Sequence, residues 1–385
     1  MDRNNDIYVT RPLLPPLSEF YPYLEDIWKN RQLTNNGPFH RQLEQALADY
    51  LGCKHISLFA NGTLALLCAI RALRISGEVI TTPYSFVATS HSLSWNGLKP
   101  VFVDIDPITG NLDPNKIEQA ITPQTTAILP VHCYGIPADV EKIDALAKKH
   151  GLKVIYDAAH AFGVTRDGNS ILNFGDLSII SFHATKVFNT IEGGAIICPD
   201  LETKRHIDRL KNFGFSSETT VDAIGINAKM NELQAAFGLL QLKHIDHALL
   251  QRKACYQRYR QAFAHFAGVK IIQPDAHVSW NYAYFPLFIG ADLNCSRDEL
   301  YAALKNQGIM ARRYFFPLIS DFPVYSGLAS ANPDNLPVSR QLADQVLCLP
   351  IYAGLSAEDQ QRVINVVLNV AAKLRSDSVK ERETV

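Results

Sequence analysis

The chain has 385 residues, 47% hydrophobic and 19% charged, with 37 Lys and Arg against 38 Asp and Glu. That length accommodates one large domain and a smaller one, each with its own core. A net charge of −1 with scattered basic residues leaves no electrostatic footprint for nucleic acid or an anionic membrane, and no apolar run approaches the roughly 20 residues of a spanning helix.

The opening MDRNNDIYVTRPLLPP has acids, amides and prolines where a secretory signal needs a basic start and an apolar core. The seven cysteines are odd in number and include no C-x-x-C pair, a pattern of reduced thiols rather than a disulfide framework. Both features predict a cytoplasmic location.

From residue 55 onward, short β-branched apolar runs alternate with helical patterns. HISLFA, EVITTP, PVFVDID, TAILPVH and KVIYDAA read as strands buried on both faces, and SIISF and GAIIC as two more. TLALLCAIRAL, SFVATSHSLSWNG, PNKIEQAI and DVEKIDALAKKHG read as the intervening helices, the last stopped by Gly151. Such alternation predicts βαβ units and a mostly parallel sheet. After residue 230 a single helical pattern runs from Asn231 to Phe266, interrupted only by Gly238. A helix of about 50 Å suits a bridge between two domains. Beyond it YFPLFI, ARRYFFPL and QVLCLPIY read as strands, and RDELYAALKNQG and EDQQRVINVVLNVAAKL as helices. The expected division is a large α/β domain over 1–240 and a smaller α+β domain over 241–385, with the polar tail SDSVKERETV fraying.

Three short pieces carry chemistry. In FANGTLALL a strand ends at Ala-Asn-Gly-Thr and opens a helix, so Gly62 and Thr63 sit where free amides and a positive dipole end make an anion site. An ordinary N-cap at a βα turn reads the same way. In YDAAHAFG, Asp157 and His160 follow an apolar strand at its carboxyl end, where open α/β sheets hold ligands; a turn-capping Asp and a structural His remain the alternative. In SFHATKVFNTIEGGAIIC, Ser181 and Lys186 lie between two apolar strands. A lysine there is either desolvated for a purpose or snorkels to the surface.

Together the pieces supply a phosphate cup, a carboxylate for a pyridine nitrogen and an amine of lowered pKa. Those are a protein's contributions to pyridoxal 5'-phosphate chemistry, in which a neutral lysine attacks the cofactor aldehyde. No G-x-G-x-x-G after a strand, P-loop, G-x-S-x-G or H-E-x-x-H is present. His244 and His247 are i,i+3 neighbours on a solvated helix face, and no metal site is expected.

Ordered segments now identify a resemblance. ANGT, TTPYSFVAT, PVFVDID, LPVHCYG, YDAAHAFG, FGDLSIISFHATK, EGGA, GINAKMNELQAA and ARRYFFPL recur in the order typical of the DegT/DnrJ/EryC1/StrS sugar aminotransferases, over nearly the whole chain from Leu33. The resemblance implies the type I aspartate-aminotransferase fold. It implies that Lys186 binds the cofactor aldehyde, Asp157 partners the ring nitrogen, His160 lies near the 3-hydroxyl and Phe86 stacks on the ring. It matches Gly62, Thr63 and Ser181 to the phosphate site, and Asn227 to a residue reaching that phosphate from a neighbouring subunit, hence a homodimer with shared sites. Lys229 stands where the family usually has Arg, and Ile319 and Ser320 where it often has His. Nucleotide-linked keto sugars as substrates and L-glutamate as amino donor are implied in the same way. LTNNGPF resembles members that aminate C4 of a 4-keto-6-deoxyhexose, and VTRPLLPPLSEFYPYLEDIW is similar to those acting on dTDP-linked sugars for surface polysaccharide. Amination at C3 is the alternative within the family, and a non-catalytic regulator that senses cofactor or sugar is the alternative outside it.

Overall fold

The computed structural model describes residues 6–293 and 295–382. In chain order the first elements are β1 (Ile7–Tyr8), α1 (Leu17–Asn30), α2 (Pro38–Leu51), β2 (His55–Phe59), α3 (Gly62–Ala72), β3 (Glu78–Thr81), α4 (Ala88–Trp95), β4 (Lys99–Phe102), β5 (Thr125–Leu129), α5 (Val140–His150) and β6 (Lys153–Asp157). Then come β7 (Thr165–Arg166), β8 (Asn169–Ser170), β9 (Leu177–Ser181), β10 (Gly194–Cys198), α6 (Leu201–Leu210) and α7 (Glu232–Ala262). The C-terminal part adds β11 (Val269–Ile271), β12 (Val278–Ser279), β13 (Phe285–Ile289), α8 (Arg297–Asn306), β14 (Ile309–Met310), α9 (Pro337–Gln345), β15 (Val346–Leu349) and α10 (Ala357–Arg382).

The seven apolar runs form one seven-stranded sheet in the order β2-β10-β9-β6-β5-β3-β4. All neighbours are parallel except β10, which is antiparallel to both β2 and β9. β9 and β10 are joined by the Lys186 loop without a crossover helix, so they must run antiparallel. Strands β3, β5, β6, β9 and β10 are almost wholly buried, which is why their sequences show no polar alternation.

α7 covers 31 residues and starts with a capping box: Asn231 Oδ1 accepts from the Gln234 amide at 2.9 Å while Gln234 Oε1 accepts from the Asn231 amide. Gly238 is required for packing: a Cβ there would lie 2.8 Å from both Leu43 on α2 and Thr190 in the Lys186 loop. α7 runs unbroken across residue 240, and β1 pairs in parallel with β14 of the C-terminal part. β11, β13 and β15 form an antiparallel three-stranded sheet there. The buried Asp104 carboxylate, at the end of β4, ties the two parts together. It accepts from the Ser339 amide (2.8 Å) and hydroxyl (2.7 Å), the Val338 amide (3.1 Å) and Lys116 Nζ (2.9 Å), so it caps α9 from another layer.

Two expectations need correction. PNKIEQAI is not an α-helix but two single turns of 3₁₀ helix, Pro114–Lys116 and Glu118–Ala120, because Pro123 soon follows and disfavours helix in the residue before it. ARRYFFPL is not a strand either. Pairing stops at Ile309–Met310, apart from an isolated bridge between Arg312 and Cys348, and Phe315 turns inward over Tyr84, Tyr134 and His160 while Phe316 stays exposed under Arg297 and Arg313. The tail continues α10 as far as Arg382, and its last three residues lie outside the described ones. Among the described residues no helix is long and apolar enough to cross a membrane.

Candidate active site

The carboxyl ends of β2, β6 and β9 bring three groups of residues together. At the end of β2, Asn61 caps α3 by accepting from the Leu64 amide at 2.9 Å. The Gly62 and Thr63 amides of the first turn, which have no partner inside a helix, stay free for an anion. Ser181, ending β9, lies directly over that turn: a Cβ on Gly62 would come within 3.0 Å of Ser181 Cβ and 3.3 Å of its Oγ. A Cβ on Gly194 would fall 2.7 Å from the Gly62 Cα and N. The glycine at the start of β10 is therefore a condition for building the cup.

Asp157, at the end of β6, is 5% exposed. One oxygen accepts from the Thr89 hydroxyl at 2.7 Å and the other from the Ala159 amide at 3.1 Å. Burial raises its pKa above the ordinary carboxylate range, and those two donors and the Lys186 charge oppose the rise. His160 is buried three residues further on. Its ring lies parallel to Phe315 at 6.0 Å and meets Tyr284 at 4.8 Å, and Asn281 Nδ2 holds its carbonyl at 2.8 Å. Burial, and then the Lys186 charge, lower its pKa well below the usual range, so the imidazole is neutral. Its Nδ1 is buried without a partner, a position left for a ligand atom.

Lys186 sits on the turn after β9, its amide bonded to the His183 carbonyl at 2.8 Å. The side chain lines a narrow cavity with His160, Phe162 and Tyr284. The residue as a whole is half-buried, while the amine end is surrounded by protein. Desolvation still pulls its pKa down to about 8, opposed by the charge on Asp157. A substantial neutral fraction at physiological pH is what attack on a carbonyl requires.

Phe86, just before α4, is 61% exposed, and its carbonyl accepts from the Thr89 amide at 3.1 Å. Asn227 is exposed on a loop whose next residue, Ala228, accepts from the Ala60 amide at 2.8 Å beside the cup. Within the chain its side chain makes no hydrogen bond to the cup. Lys229 donates to Asn212 Oδ1 at 2.7 Å and lies over the Phe213 ring. His244 pairs with Glu19 and His247 with Gln251. Among the described residues no group of three or more His, Cys, Asp or Glu is placed to hold a metal ion. Thr89, Phe315 and Tyr284 were not singled out by the sequence. Thr89 lies inside a helical pattern, and only the fold brings its hydroxyl to Asp157.

The residues fit pyridoxal phosphate. A lysine of lowered pKa lies within electrostatic reach of a buried carboxylate, beside a partnerless imidazole nitrogen and a cradle that a single Cβ would fill.

Comparison with known proteins identifies the family. The sequence profile of the DegT/DnrJ/EryC1/StrS aminotransferase family matches residues 17–368. The chain is 55% identical over 364 residues to a dTDP-4-amino-4,6-dideoxy-D-glucose transaminase of Shigella dysenteriae, covering 94% of this chain and 99% of that one. An Escherichia coli transaminase of the same name is 54% identical, with 94% and 98% covered. Among solved structures, DesI in the presence of its TDP-sugar product superposes with a TM-score of 0.92 at 35% identity, covering 98% of this chain and 96% of that one.

Proposed function

The chain belongs to the DegT/DnrJ/EryC1/StrS aminotransferase family, and we propose that it is a dTDP-4-amino-4,6-dideoxyglucose transaminase. On this reading it moves the amino group of L-glutamate to C4 of dTDP-4-dehydro-6-deoxyglucose, for surface polysaccharide. The observation that carries the chemistry is Lys186, with its pKa near 8, facing Asp157 in a site with a helix-end cup. The relatives of that name at 54% and 55% identity support the substrate.

Pyridoxal 5'-phosphate, when bound, supplies an electron sink for the carbanion formed at each half-transfer. Gly62, Thr63 and Ser181 bind its phosphate. Asp157 holds a proton at the ring nitrogen. His160 would lie near the 3-oxygen and Phe86 would cover one face of the ring. Lys186 would hold the cofactor through its aldehyde, and its Nζ is the group that would carry a proton in the transfer.

A homodimer is part of the proposal, with Asn227 of one copy reaching the phosphate held by the other. The apolar surface around that loop supports it: Trp95 is 82% and Ile224 83% exposed, flanking a groove of about 280 Å³ lined also by Leu67, Leu210 and Ile226. We keep the division into 1–240 and 241–385, with Asp104 as the clamp between the two units. The cytoplasmic location rests on seven free cysteines, six of them buried.

The test is to incubate the enzyme with cofactor, L-glutamate and a panel of dTDP-, UDP- and GDP-linked 3-keto and 4-keto sugars. Conversion of the dTDP-linked 4-keto sugar to its amino form, read by mass, is the expected result. Preference for a 3-keto sugar would overturn the choice of carbon.

A further inference from the structure

Asp157 is oriented by a chain of two hydroxyls. Thr89 is fully buried, and Ser85 is 5% exposed. Thr89 Oγ1 is 2.7 Å from Asp157 Oδ2 and 2.8 Å from Ser85 Oγ. An ionised carboxylate only accepts, so the single Thr89 proton points to Asp157, and Ser85 must donate to Thr89. The proton order is therefore fixed as Ser85 to Thr89 to Asp157. With Ala159 on Oδ1, each carboxylate oxygen has one protein donor and keeps lone-pair capacity for the site. Thr89 also donates its amide to the Phe86 carbonyl at 3.1 Å, so one helical turn sets both the carboxylate and the exposed ring.

We propose that Thr89, backed by Ser85, is the positioning residue that keeps the Asp157 carboxylate aimed and ionised, so that a pyridine nitrogen beside it stays protonated. This rests on the reading of the site as a pyridoxal phosphate site. The titratable group of α4, His91, is engaged with the Tyr325 hydroxyl at 2.7 Å. The groups that face it electrostatically are Lys186 on the turn after β9 and Cys133 beyond β5, with neutral His160 on its own loop. Burial works against the charge, and donation from the Thr89 hydroxyl is the foremost influence opposing it. A proton kept on the ring nitrogen makes the nitrogen that Lys186 attaches to the cofactor a weaker base.

Thr89→Val preserves shape and removes the donor. The experiment titrates the visible absorption of the bound cofactor against pH in wild type, Thr89→Val, Thr89→Ser and Ser85→Ala, and measures kcat and KM for glutamate. The expected result for Thr89→Val is a midpoint raised by about one pH unit and kcat lowered about tenfold, with KM little changed. Thr89→Ser should restore both, and Ser85→Ala should fall between. A role confined to packing would lower melting temperature and leave the midpoint in place. Titrations of Thr89→Val and Ser85→Ala that superimpose on wild type would overturn the proposal. A wild type that binds the cofactor with no visible band would instead overturn the reading of the site beneath it.

Discussion

Asp157 and Lys186 each oppose the shift that burial imposes on the other. Burial raises the carboxylate and lowers the amine, while their mutual attraction lowers the first and raises the second. Burial wins at both. The pair is held in a state where the amine gives up its proton near pH 8 although the carboxylate lies close by.

A pH dependence follows. The neutral fraction of Lys186 grows as pH rises through about 8, so apoenzyme should take up pyridoxal phosphate about fivefold faster at pH 8 than at pH 7. Stability has its own signature. A lysine whose folded pKa is depressed from 10.5 to about 8 costs stability fully below pH 8 and none above 10.5. Lys186→Met apoprotein should therefore melt higher than wild-type apoprotein at pH 7, with the gap closing between those two values. Calorimetry across that range checks it.

The cup depends on two glycines that fail differently. Gly62→Ala would place its Cβ 3.0 Å from Ser181 Cβ, a tight contact that a shift of a few tenths of an ångström relieves, so cofactor affinity should drop about tenfold while the apoprotein loses less stability than Gly194→Ala. Gly194→Ala would strike the Gly62 backbone. That variant should lose cofactor binding and also about 1–3 kcal/mol of stability. Cofactor titration and thermal melts of both apoproteins separate the two outcomes.

Shared active sites can be tested by complementation. Lys186→Ala should lower transamination by at least about 10²–10⁴-fold, and Asn227→Ala should weaken cofactor binding. If Asn227 serves the neighbouring copy, co-expressing the two variants places one intact site in every heterodimer, and about a quarter of wild-type activity should return. Recovery no greater than the sum of the two single variants would place Asn227 in its own chain's site or in none.

The clamp at Asp104 is a claim about the fold. Removing its carboxylate leaves the Lys116 ammonium, the Ser339 hydroxyl and two α9 amides without their acceptor. Asp104→Ala should destabilise the chain by about 3 kcal/mol, measured by denaturant unfolding.

The sheet was legible because strands buried on both faces are nearly continuous apolar runs, and all seven runs from HISLFA to GAIIC became strands. Legibility ended where tertiary packing overrides a local pattern. The aromatics of ARRYFFPL suit a strand by composition, yet Phe315 covers Tyr134 and His160 instead of joining a ladder. Gly238 reads as a helix breaker, and its cause, the crossing of Leu43 and Thr190, is not local. In the site, Lys186, Asp157 and the Gly62 turn stand out because a charged or polar residue beside an apolar strand is conspicuous. Thr89 does not, since a threonine in a helix carries no such contrast. Its role depends on chain folding that brings it to Asp157 from 68 positions away.

The most direct measurement is borohydride reduction of the cofactor-loaded protein, followed by peptide mass mapping. A pyridoxyl adduct on Lys186 alone is the predicted result. An adduct on another lysine, or none on a protein that has bound the cofactor, would contradict the account.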